Sequence, residues 1–135
     1  MAKKRWVYRP TKQAAAKLSD SLKQTIKDKA DELVKTVLIP QHVKPQPEDY
    51  QFNYVVDIYT KWYRNYFYFC STYHVSGPNA IAPSFEAKFA RLEYVGGERF
   101  NLAFMRHTGQ WQEIAQGISL DEALEMISDG GLFQP

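Results

Sequence analysis

The sequence predicts an α+β domain: an N-terminal amphipathic helix, a four- to five-stranded antiparallel meander sheet and a short C-terminal helix. Three observations carry this expectation. Apolar residues recur at steps of three and four from Leu18 to Leu38. After Asp49 the period falls to two. Near the end, Ser119-Leu120-Asp121-Glu122 has the form of a capping box. Residues 1–11 read as a basic, flexible arm and 12–135 as a single domain.

The arm, Lys3-Lys4-Arg5-Trp6-Val7-Tyr8-Arg9-Pro10, sets rings among cations and has no helical period before Pro10. From Lys12 the composition favours helix, and Leu18, Leu22, Ile26, Ala30, Leu33, Val34, Val37 and Leu38 form one apolar stripe. The start is open between Thr11 and Ser19, because a serine hydroxyl can accept hydrogen bonds from the unpaired amides of a first turn. The end is expected near Leu38. Pro40 has no amide hydrogen and pushes its predecessor out of helical geometry, so residues 41–49 read as a loop.

Phe52, Tyr54, Val56 and Ile58 alternate with Gln51, Asn53, Val55 and Asp57, the pattern of a strand with one buried face. Lys61-Trp62-Tyr63-Arg64-Asn65 interrupts the alternation, and residues 66–73 resume it with Phe67, Phe69, Ser71 and Tyr73 on one side. Two antiparallel strands joined by a short connection are expected. A loop over residues 74–83 then leads to a third strand over 84–94, with Phe85, Ala87 and Phe89 on one face. Gly96-Gly97 supplies the positive φ that a tight hairpin requires, so residues 99–105 should pair with the third strand. A turn at His107-Thr108-Gly109 precedes a short fifth strand around 110–114. The last helix should run from Ser119 to about Ile127, where Gly130-Gly131 stops it.

Composition narrows the class. Among 135 residues, 44% are hydrophobic and Cys70 is the single cysteine, which excludes an intrachain disulfide. A chain of this length can bury enough surface to fold without a bridge or a metal. No apolar run approaches the roughly 18 residues of a membrane helix, and Met-Ala-Lys-Lys-Arg lacks the apolar stretch of a secretory signal, so a cytoplasmic protein is expected. The net charge of +2 hides an asymmetry. Residues 1–29 carry nine Lys/Arg against two Asp, residues 30–106 balance at eight against eight, and residues 107–135 carry five acids with no Lys or Arg. A basic head of this kind can hold a polyanion or an acidic partner, or fold back on the acidic tail of its own or a neighbouring chain.

None of the spacings that specify a catalytic mechanism is present: no phosphate loop, no Gly-x-Ser-x-Gly elbow, no His-Glu-x-x-His helix and no Cys-x-x-Cys pair. No catalytic residue, cofactor or metal site is therefore assigned. His42, His74 and His107 lie far apart, and Cys70 has no adjacent cation to activate it. An enzyme would need His74, Arg106, His107 and Glu113 to converge near strand ends. The unusual feature is aromatic. Eleven of the 20 rings lie in residues 50–73, more than one sheet face can bury. Some of Tyr59, Trp62, Tyr63, Tyr66 and Tyr68 must then lie at an edge, on an open face or under a helix. Core packing is the ordinary use of such rings; beside cations they could also stack bases and bind phosphates. The binding candidates are Lys4, Arg5, Trp6, Tyr8 and Arg9 in the arm, and Lys61, Trp62, Tyr63, Arg64, Arg91, Arg106 and His107 in the domain.

The stretch from Ser84-Phe85-Glu86 to Leu92-Glu93-Tyr94, followed by Arg99-Phe100 to Gln110-Trp111, resembles a family of small uncharacterised bacterial domains, most of all its cyanobacterial members. The resemblance implies a compact α+β domain over about residues 18–114 and brings no activity with it. The leading expectation is a noncatalytic binding or accessory module that engages a protein partner within a larger assembly. A nucleic-acid-binding protein comes second, on the basic head and the aromatic cluster, and an enzyme third.

Overall fold

The computed structural model describes residues 18–44, 53–75 and 83–135. The first helix, α1 (Asp20–Leu33), starts at the later of the two expected positions: the Ser19 hydroxyl accepts a hydrogen bond from the Leu22 amide at 3.1 Å. Its stripe delivers Ile26 and Ala30 to the interior, followed by Val34 and Leu38. The helix does not stop at Leu38. Residues Val34–Leu38 widen into a π turn, in which the Ile39 amide donates to the Val34 carbonyl, and a further turn, α2 (Ile39–His42), contains Pro40. A proline ring collides with the carbonyl four residues back, and a turn spaced at five residues moves that carbonyl aside. Pro40 then sits in the first turn of α2, where an amide donor is not needed.

Five strands follow, β1 (Tyr54–Tyr63), β2 (Tyr66–His74), β3 (Ser84–Gly96), β4 (Arg99–Met105) and β5 (Trp111–Ile118), each antiparallel to its neighbours in the order β1-β2-β3-β4-β5. The expected interruption at Lys61 is absent. β1 runs to Tyr63, which pairs with Tyr66, and only Arg64 and Asn65 make the turn. Arg64 takes a φ of 56°, a left-handed conformation uncommon for a side chain of its size. The β3–β4 turn forms after Gly96 as expected, through Gly97 and Glu98 at φ 58° and 57°. The final helix, α3 (Leu120–Ser128), carries both bonds of its capping box: Glu122 N–H to Ser119 Oγ at 3.1 Å and Ser119 N–H to Glu122 Oε1 at 2.9 Å.

Two bulges reverse the expected alternation. The β1–β2 register passes from Val55↔Tyr73 to Asp57↔Thr72 and skips Val56, which is left 41% exposed while Val55 packs against the core. In β3 the register passes over Phe89, so Ala90, Leu92 and Tyr94 take the buried side. Phe85, expected on one face with Ala87 and Phe89, is 44% exposed while Phe89 is buried, and it stacks on Tyr73 at 5.2 Å.

All the helices among the described residues cover the same face of the sheet. Ile26, Ala30, Val34 and Leu38 meet Ile58, Phe67, Phe69, Leu92, Phe100, Leu102, Ala123 and Ile127 in one cluster. Burying each of the larger side chains contributes about 1.5–3 kcal/mol. The chain after α3 returns under β4, where Phe133 meets Phe104 edge-on, and Tyr73 donates its hydroxyl hydrogen to the Pro135 carbonyl. Among the described residues no helix is long and apolar enough to cross a membrane.

Candidate functional site

Strand geometry decides what the second face carries. Side chains alternate across a sheet, so with Thr60, Trp62, Phe67 and Phe69 turned toward the helices, Tyr59, Lys61, Tyr63, Tyr66 and Tyr68 point the other way. Cross-strand register extends the row Lys61↔Tyr68↔Arg91↔Ala103↔Glu113 across all five strands. Ala103 is the small residue in that row. It is 1% exposed although the described helices pack on the opposite face. The Trp111 ring reaches within 5.8 Å of Tyr68, and Tyr68 lies 6.2 Å from Tyr66. The Arg91 guanidinium lies between two of these rings, 4.7 Å from the centre of Tyr66 and 5.1 Å from Trp111. Lys88 stands over Tyr68 at 5.7 Å, and Arg64 over Tyr63 at 5.3 Å.

A polar cluster borders this stripe of rings. The Glu86 carboxylate accepts hydrogen bonds from the Tyr59 hydroxyl, from Lys61 Nζ at 3.0 Å and from Lys88 Nζ at 3.1 Å. Those donors, Tyr59 first and Lys61 next, hold the Glu86 carboxyl down at about 2. Tyr59 moves up, through burial and then its bond to Glu86, and the Lys61 ammonium is strengthened by the same carboxylate. Lys61, Trp62, Tyr63, Tyr68 and Lys88 line a shallow depression of about 330 Å³. Chemically, the face offers flat rings, oriented cations and one fixed carboxylate. Burial pushes the Cys70 thiol up to about 11, away from a reactive thiolate. Among the described residues no group of three or more His, Cys, Asp or Glu could hold a metal ion.

The residues singled out from sequence divide between places. Lys61, Tyr63 and Arg91 lie on the open face and Arg64 in the turn at its rim. Trp62 borders the depression, but its ring turns to the other face. Its indole N–H donates to the Lys23 carbonyl at 3.2 Å and its ring packs 4.9 Å from Phe67, so it anchors α1 to the sheet. Arg106 and His107 sit exposed in the β4–β5 turn. His74 does not approach them: it pairs with Ser84 on β3, six residues before Ala90, where β4 begins its pairing at Phe104. Glu113 bonds to Gln116 at 2.6 Å. Lys4, Arg5, Trp6, Tyr8 and Arg9 lie outside the described residues. Sequence reasoning did not single out Glu86, Lys88 or Trp111 as site residues. The parity of β5 against β4 was the available signal for Trp111, and it becomes readable only once the Met105↔Trp111 register is known.

A family model described as a domain of unknown function, DUF3024, matches residues 18–135. The chain belongs to that family. No curated protein and no solved structure matches it. The DUF3024 match begins next to the Ser19 cap and takes in the helices, the whole sheet and every residue of the ring and cation stripe.

Proposed function

We propose that this DUF3024 domain is a noncatalytic binding module that docks on a partner protein, within a larger assembly, through the sheet face its helices leave open. One observation carries the reading: Tyr66, Tyr68, Trp111 and Arg91 form a contiguous, laterally braced stripe on that face. Tyr, Trp and Arg are enriched among the residues that dominate binding energy at protein interfaces, the rings because they bring large area at little entropic cost and Arg through its fixed fork of donors. Charge favours protein over polyanion. Lys61 and Lys88 are both paired to Glu86, and Glu93 and Glu113 lie in the same rows, so the face is close to neutral. Nucleic acid is the second reading, supported by rings that alternate with cations. Lys61, Tyr63, Arg64 and Arg91 belong to the proposed surface, with Arg106 and His107 at its border; Lys4, Arg5, Trp6, Tyr8 and Arg9 are the arm contacts of the nucleic-acid reading. A cytoplasmic setting and a cyanobacterial-type source complete the proposal.

The test is co-purification from native extract with the wild-type chain, Arg91→Glu and Trp111→Ser, beside fluorescence anisotropy on single-stranded RNA and DNA. A stoichiometric protein retained by wild type and lost with both variants is expected. A complex indifferent to both variants overturns the assignment of the face, and polymer binding that survives physiological salt and is lost with both variants replaces protein with nucleic acid.

A further inference from the structure

A second surface, separate from the open sheet face, lies between α1 and α3, where a shallow, open groove of about 480 Å³ is lined by residues of both helices and of the π turn. Its floor includes Leu33 and Leu124, half-buried against the core. Its rim carries Asp28 and Glu32 from α1 and Asp121 from α3, against the single cation Lys29. Lys29 neutralises little: it meets Asp121 at 3.7 Å with the two side chains 54% and 84% exposed. An apolar floor bounded by carboxylates suits an occupant that alternates rings with cations. This chain contains one.

We propose that the α1–α3 groove is the docking site of the chain's own basic arm, residues 3–10, with Trp6 or Tyr8 on the Leu33–Leu124 floor and Lys3, Lys4, Arg5 or Arg9 on the acidic rim. Charge complementarity and reach both support it. The lining residues of α1 and the π turn after it, Asp28 to Thr36, lie about 12–24 Å along the helix axis from Asp20. Residues 7–17 can span about 25 Å with residues 12–17 helical, as their composition favours, and residues 7–11 extended. Tethering raises the local concentration of the arm to the order of millimolar, so weak and solvent-screened contacts suffice to hold it. The basic head is thereby set against the acidic helix α3 of the same chain, and any polyanion must displace the arm before using its cations.

Zero-length carbodiimide cross-linking of the full chain tests this, with an equal mixture of ¹⁵N-labelled and unlabelled protein read by mass spectrometry. The Lys27–Asp31 pair, 3.0 Å apart, is the internal reference. Links from Lys3 or Lys4 to Asp28, Glu32 or Asp121 are expected within isotopically pure chains, falling several-fold in about 0.5 M salt and in Trp6→Ser. Formation of the reference link without arm links overturns the proposal. Isotopically mixed links assign the groove to the arm of a second copy instead, and arm links spread equally over other acids, or unchanged in Trp6→Ser, refute a specific site.

Discussion

Replacing Thr60 by valine tests how α1 is fastened to the sheet. Thr60 is one of the buried polar residues on the helix-covered face, and its hydroxyl donates to Asp31 Oδ1 at 2.5 Å while accepting from Lys27 Nζ at 3.0 Å. Lys27 and Asp31 are themselves paired at 3.0 Å. Valine keeps the shape and removes the hydroxyl. Two hydrogen bonds to charged partners are worth about 1.5–3 kcal/mol each when buried. Here the Lys27 and Asp31 side chains are 37% and 45% exposed, so water replaces much of what is lost. The extra methyl returns about 0.8 kcal/mol. The net expectation is a loss of about 1–2 kcal/mol. For a chain of 135 residues that lowers Tm by about 3–7 °C, from an unfolding entropy of about 2.1 cal/mol/K per residue. Circular dichroism during thermal and urea unfolding measures it, with Thr60→Ser, which keeps the hydroxyl, as the milder comparison. A valine variant as stable as wild type would refute the reasoning and leave apolar contact and the Trp62–Lys23 bond to seat the helix.

The remaining predictions concern single buried or paired groups. Glu86 has a folded-state pKa near 2, below that of an ordinary carboxyl, so its contribution to stability is present above about pH 4.5 and is lost as pH falls through about 2. Glu86→Gln should therefore cost about 1 kcal/mol at neutral pH after solvent screening, and the gap to wild type in urea midpoint should close on acidification; a gap independent of pH contradicts the pairing. Ser71 Oγ is buried without a hydrogen-bond partner among the described residues, so Ser71→Ala should leave stability unchanged or raise it by up to about 1 kcal/mol, and a clear loss on chemical denaturation would reveal a missing partner. Cys70, fully buried with its thiol pushed up to about 11, should react with a thiol–disulfide reagent at neutral pH only as fast as the domain opens. Rapid labelling of the native protein would contradict that burial.

Local signals in the chain read correctly wherever a few adjacent residues decide the outcome. Ser119 and Glu122 satisfy each other's amides within one turn, and Gly96-Gly97 places the β3–β4 hairpin without help from the rest of the fold. The five-strand meander follows from such punctuation. The failures come where a distant strand or a competing geometry intervenes. Pro40 predicts a stop, yet a π turn absorbs it because Val34 and Leu38 are held in the core on either side of the widening. Val56 and Phe89 lie at bulges that reverse the phase of their strands, and periodicity carries no trace of a residue skipped by its partner. The site shows the same division. A surplus of rings in residues 50–73 announces that some must leave the core, but which side of β1 faces the helices is settled by Trp62 bonding to Lys23 on α1. The Tyr59–Glu86–Lys61 cluster joins β1 to β3 across β2, a separation that no motif spans.

The most direct measurement for the open face is site-specific photo-cross-linking in native extract, with p-benzoylphenylalanine in place of Tyr68 on the open face or of Glu125 on the exposed side of α3. A discrete protein adduct is expected from position 68, abolished by Arg91→Glu, and none from position 125. An adduct at neither position, or the same adducts at both, would contradict the claim that the uncovered sheet face is where this domain binds.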